Sequence, residues 1–273
     1  MRRQSWVIFL LLCPLLLQAG CAGHLFHAVE TTEDETRRVG SAFNEMLERS
    51  QQCSCCLDAE VKIVFALSKW FGGRSVAFSG YLLAKRPSFL KFVGVNPLGQ
   101  PLFILATDGE RFHSIHVSEA KAYEGEVRSK TFLKYFPSGI GLDSLFFWLT
   151  GRTDPNGSKI RTISRDTESG AYWVDVSLAQ GTGTDWVLYD PVDDTVRRHI
   201  HLDGRKEVLL DVSYEDYLES DSGCLVPAKI TANAPELKGS IELILQDVLT
   251  NEFLPDRDFD YEVPAGFEII KVE

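Results

Sequence analysis

From Leu57 to Val248 the chain is dominated by short runs in which apolar and polar residues alternate, punctuated by Gly, Asp, Asn and Pro. Runs at 61–66, 75–83, 89–95, 101–106 and 111–117 occupy the first half. Runs at 171–178, 185–189, 195–202, 206–214, 225–232 and 240–248 occupy the second. Tyr172, Val174, Val176 and Leu178 share one side of a strand, opposite Trp173, Asp175 and Ser177, which is the period of two expected of a half-buried sheet. Asp108-Gly109 and Asp203-Gly204 fall between runs as hairpin turns. Serial hairpins at this spacing predict one large antiparallel sheet, curled or closed. Nothing in the composition divides the chain, so residues 31–273 read as a single domain.

Two segments break the period of two. In TTEDETRRVGSAFNEMLERSQQ, Thr32 and Glu35 form a capping-box signature, and Val39, Phe43, Met46 and Leu47 fall on one helical face. That predicts an amphipathic helix packed on its own domain. GIGLDSLFFWLTG predicts a shorter helix, with Asp143 or Ser144 as N-cap and Gly151 as its stop. Leu145, Phe146, Phe147, Trp148 and Leu149 make it apolar nearly all round. Such a helix either plugs a barrel core or covers an apolar hollow.

One turn is unusual. Asn96-Pro97-Leu98-Gly99 suits a type I turn at every position except the third, where leucine replaces the usual small polar residue. A leucine there either folds back on a neighbouring strand, stands alone in water, or touches something apolar.

The first residues specify a compartment. Arg2 and Arg3 precede an apolar stretch at 6–17, and Ala19-Gly20 lead to Cys21. This is similar to a bacterial lipoprotein signal at 1–20, with Cys21 lipidated and residues 21–30 as a tether. Gln18 departs from that pattern, and an ordinary secretory signal cut near Gly20 is the alternative. Ala22 follows Cys21, with no aspartate of the kind that retains such proteins in the inner membrane. The net charge is −11, and removing the leader makes it more acidic still. That argues against nucleic acid and against electrostatic docking on anionic lipid, so any membrane grip must be hydrophobic. Cys53, Cys55, Cys56 and Cys224 remain beyond Cys21. In an oxidising compartment a bridge from the 53–56 cluster to Cys224 is expected, with the connectivity left open.

SFLKFVGVNPLGQPLFILATDGERF and GIGLDSLFFWLTGRTDPNG, taken in order after a lipoprotein-type cysteine and an early helix, resemble the LolB family of outer-membrane lipoprotein insertion proteins. The tail DFDYEVPAGFEIIKVE resembles the closing strand, turn and strand of LolA/LolB-type domains. The resemblance implies an open, strongly bent half-barrel, mainly β with a helical lid, around an apolar cavity for acyl chains. It implies a protein that is held on the periplasmic side of a Gram-negative outer membrane by the lipid on Cys21. Such a protein receives lipoproteins from a LolA-like periplasmic carrier and acts as a monomer without other cofactors. Pro97 and Leu98 would form its membrane-contact loop, and Phe92, Phe103, Leu145, Phe146, Phe147, Trp148 and Leu149 would line or lid the cavity. The chain is longer than typical members, with extra strands or loops within 153–216. An envelope scaffold or sensor on the same fold is the other reading.

No catalytic signature is present: P-loop, dinucleotide glycines, nucleophile elbow and H-E-x-x-H are all missing from the sequence. His199 and His201 share a strand face without an evident third ligand and read as surface histidines. The acids of PDRDFDYE lack a calcium loop's glycine and distal glutamate. The chain is therefore expected to be neither an enzyme nor a metalloprotein.

Overall fold

Thr32 starts the first helix because its side chain accepts the Glu35 amide while the Glu35 carboxylate takes the Thr32 amide. Glu33, Asp34 and Glu35 complement the dipole of the first turn. Helix α1 (Glu33–Gln52) then lays Val39, Phe43, Met46 and Leu47 into the core. A computed structural model describes residues 26–53, 55–67, 75–134, 141–154, 159–177, 183–237, 239–250 and 253–273. The leader, Cys21, the first part of the tether and Leu178 lie outside them. Among the described residues no helix is long and apolar enough to cross a membrane.

The sheet is built from two meanders. One comprises β2 (Cys56–Leu67), β3 (Ser75–Lys85), β4 (Phe89–Val95), β5 (Pro101–Thr107), β6 (Arg111–His116) and β7 (Lys121–Glu126). The other comprises β8 (Lys159–Asp166), β9 (Tyr172–Ser177), β10 (Thr184–Asp190), β11 (Thr195–Leu202), β12 (Val208–Glu219), β13 (Leu225–Ala234) and β14 (Gly239–Leu249). They join where β14 pairs antiparallel with β2. Short strands β1 (Ala28–Glu30) and β15 (Glu268–Val272) form the two edges, so the sheet, of fifteen strands among the described residues, is open. Its concave face holds the main core with α1 and α3 (Leu142–Leu149); the four-residue α2 (Lys130–Leu133) adds Phe132.

Four sequence expectations change. The stretch read as a tether already belongs to the sheet at Ala28, which pairs with Asp166. Phe26 stacks on Trp186 and meets Trp173 edge-on, so the convex side of β9 and β10 is also covered and Trp173 is buried. The cap of α3 is Gly141, in an extended conformation, two residues ahead of Asp143; the Asp143 carboxylate instead accepts the Ser88 hydroxyl. The tail has no strand at 258–263. Lys91 takes the carbonyls of Asp258 and Asp260, while Tyr261, Val263 and Phe267 pack over Ile104 and Ile115 on the convex face. The chain therefore returns across the sheet, and β15 pairs with β7 parallel rather than antiparallel.

Candidate functional site

Among the described residues, a concave region lined by apolar side chains is left unfilled. It is a cavity of about 250 Å³ bounded by β2 to β5 on one side, β12 to β14 on another, and α3 across it. The alternation of β2 places Val61, Ile63 and Phe65 in its wall, and the pairing register brings Phe78, Leu82, Leu90 and Phe92 alongside. Two glycines make room within this wall. Gly80 and Gly94 face each other across β3 and β4, and a Cβ on Gly80 would lie 2.8 Å from the Phe92 ring. The ring therefore lies over bare backbone, which larger residues would prevent.

The residues expected to form the cavity divide in two. Phe92, Phe103, Leu145, Trp148 and Leu149 line it. Phe146 and Phe147 do not; they turn to the packed core, Phe146 beneath the Arg86 guanidinium. A helix apolar all round is thus explained by both of its possible roles at once: one face is covered, the other covers a hollow. The contribution of Val212, Ile230, Ala232, Ile241 and Leu243 went unread in the sequence. Their alternation is visible there, but not which face becomes concave.

Exposure changes along the cavity. Leu82, Leu90, Trp148 and Leu149 are buried, whereas Phe78 and Phe103 are half-buried and Phe65 is 37 % exposed. The mouth therefore lies toward the end of the β2–β3 hairpin, and the β4–β5 hairpin turns at the same rim. That turn is the Asn-Pro-Leu-Gly segment. The Asn96 side chain accepts the amides of Leu98 and Gln100, its carbonyl accepts the Gly99 amide, and Gly99 takes φ +78°. With its backbone so fully committed, the turn holds the Leu98 side chain outward, 83 % exposed, beside exposed Pro97 and Leu102.

Where Trp148 forms the wall, the cavity is polar just behind its apolar surface. Trp148 stacks on His199 at 3.9 Å and 9°. His199 Nε2 lies 3.2 Å from one oxygen of Asp185, and His201 Nδ1 lies 2.6 Å from the other. His199 and Asp185 are buried and His201 nearly so, which corrects their reading as surface histidines. Asp185 is the partner that the sequence concealed, brought opposite His201 by the β10–β11 register. Burial opposes ionisation of Asp185, but the close electrostatic contact with His199 and the hydrogen bond with His201 hold it well below the usual carboxylate range. Nearby, burial pushes the unpartnered Tyr214 hydroxyl well above its ordinary value. Among the described residues no group of three such side chains is placed to hold a metal.

Asp185→Asn should cost about 2–3 kcal/mol at neutral pH by weakening the charge-assisted bond to His201 and the close electrostatic contact with His199. A depressed carboxylate pKa contributes stability that is present above the unfolded value, near 4, and lost as pH falls through the folded value. Urea unfolding should therefore show a smaller deficit for the variant at pH 3 than at pH 7. An equal deficit at both would contradict the assignment.

The other notable groups are structural. Cys53 bridges Cys224, fastening the end of α1 to the β12–β13 turn, and Cys55 pairs with Cys56. Arg152 is buried beside that bridge and donates to the carbonyls of Cys53 and Leu225. Burial, with Arg86 alongside, lowers its pKa to about 10. Asp193 and Asp194, in the β10–β11 turn, are engaged by Arg197 and by Arg49 with Tyr189. In the tail, Asp256 pairs with Lys85.

In fold, this open sheet with its few helices is similar to solved LolA-like structures. A LolA superfamily protein from Nitrosomonas europaea superposes with a TM-score of 0.55 at 11 % identity, covering 80 % of this chain and 97 % of that one. A DUF1329 family protein from Desulfovibrio piger gives 0.55 at 10 %, covering 81 % and 97 %. A domain from Vibrio parahaemolyticus, named for outer membrane lipoprotein sorting, gives the same values. At such identities the likeness establishes the fold. In sequence, no family description and no curated protein matches the chain.

Proposed function

We propose that this protein is an outer-membrane lipoprotein, anchored through lipid on Cys21, that binds acyl chains in its cavity. It would take lipoproteins from a LolA-like periplasmic carrier and release them into the membrane, working as a monomer without cofactor or catalytic chemistry. The observation that carries the reading is the cavity itself: seventeen lining residues, all aliphatic or aromatic, open toward the rim that presents Leu98. A hollow of this chemistry favours methylenes, each worth about 0.8 kcal/mol on leaving water, and asks for no specific polar contact.

Leu98 fits the second half of the task. Immersing one leucine gains roughly 1.5–3 kcal/mol, enough to orient the mouth on a bilayer but not to anchor the protein. Anchoring belongs to Cys21. A carrier without an energy source runs only downhill, so its cavity must hold the chain less tightly than the membrane does. The test is transfer of a fluorescent acylated peptide from the protein to phospholipid vesicles. Vesicle-dependent transfer supports the reading; a protein that takes up no acylated peptide, or never yields it to vesicles, would contradict it.

A further inference from the structure

We infer that the cavity admits one acyl chain at a time, engages about eight of its methylenes and is indifferent to the headgroup. This rests on the reading of the cavity as an acyl-chain site and narrows what that site can hold. Three observations carry it. The volume is about 250 Å³. A methylene needs roughly the room of a water molecule, about 30 Å³, so the space accepts about eight in single file. A second chain would have to open a wall packed to interior density.

The buried wall at Trp148 is also firm. Trp148 is held by its stack on His199, and His199 by Asp185. A longer chain would have to displace the indole and press hydrocarbon against a buried carboxylate and two imidazoles, desolvating them without compensation. Trp148, backed by His199 and Asp185, is therefore the stop of a chain-length ruler. The remaining methylenes of a long chain stay at the mouth.

The lining, finally, has among the described residues no group that could recognise a head. Apart from the Trp148 indole nitrogen, its side chains carry no polar atom. Carboxylate, phosphocholine and peptide heads would all remain in solvent beyond Phe65 and Phe78. For a lipid with several chains, one is sheltered while the others stay outside, which leaves the complex easy to unload.

The experiment is a titration of the intact protein with fatty acids and with alkyl phosphocholines, from six to sixteen carbons, each below its micelle threshold. One ligand per protein is expected. The dissociation constant should fall about fourfold per added methylene, then level off near eight to ten carbons, with the two heads within about threefold of each other. Ala232→Phe narrows the cavity from a partly buried position and should move the break about two carbons shorter with the slope below it unchanged. Trp148→Ala should move the break longer. A fourfold gain that persists to sixteen carbons, two chains per protein, or a break unmoved in Ala232→Phe would overturn this inference alone. Absence of saturable binding at every length would overturn the proposed function together with it.

Discussion

Trp148→Ala loses about 3–5 kcal/mol of stability, the cost of truncating a large buried aromatic at a site that cannot collapse. Trp148 is 7 % exposed and does three things at once. It fills core volume on α3, walls the cavity, and covers a histidine whose other partner is a buried carboxylate. Removing the indole forfeits its packing and leaves His199 and Asp185 facing an enlarged apolar space, where polar groups are penalised. For a chain of this size that amounts to a fall of roughly 10 °C in Tm. Trp148→Phe, which keeps a ring over His199, should recover much of it. A saturating fatty acid should also restore stability, because a ligand that binds only the folded state stabilises it by mass action. A loss below about 1 kcal/mol would show that α3 does not close the cavity.

Leu98→Glu gives the opposite profile: an unchanged fold and failed delivery. The turn is determined by Asn96 and Gly99, not by Leu98, whose side chain is held in solvent. Its replacement should therefore move stability by no more than about 0.5 kcal/mol. Cavity binding should also be unaffected, since Leu98 does not line the cavity. Transfer to vesicles should fall at least tenfold, because the variant loses a leucine worth roughly 1.5–3 kcal/mol in the bilayer and brings a charge to its surface. Leu98→Phe keeps an apolar tip and should retain transfer. Equal transfer by wild type and Leu98→Glu would return Leu98 to an ordinary exposed residue.

The two variants separate what was legible in the sequence from what was not. Local signals were legible: the Thr32–Glu35 box, the period of α1, the Asn-Pro-Leu-Gly turn and the all-round apolar character of α3 each have a physical cause within a few residues. Part of the cavity came instead from the family resemblance, of whose residues Phe92, Phe103, Leu145, Trp148 and Leu149 face one hollow and Phe146 and Phe147 do not. Long-range register was not legible. Asp185 meets His199 and His201 only because β10 and β11 pair with a shift between Leu188 and Tyr189, and no residue spacing announces that. The bridge to Cys224 was legible as a link to the 53–56 cluster, but that Cys53 makes it depends on where α1 ends relative to the β12–β13 turn. The tail misled for a related reason: its resemblance implied a strand before the Pro-Gly turn, but Lys91 and the convex face claim those residues first.

Both variants presuppose a cavity that holds hydrocarbon, and that is most directly measured with a fluorescent fatty acid. On adding the probe to the purified protein, the account predicts a saturable rise in emission at one probe per chain, reversed by unlabelled fatty acid and weakened by Ala232→Phe. Emission that stays at its level in buffer, or rises without saturation and is unaffected by competitor, would contradict it.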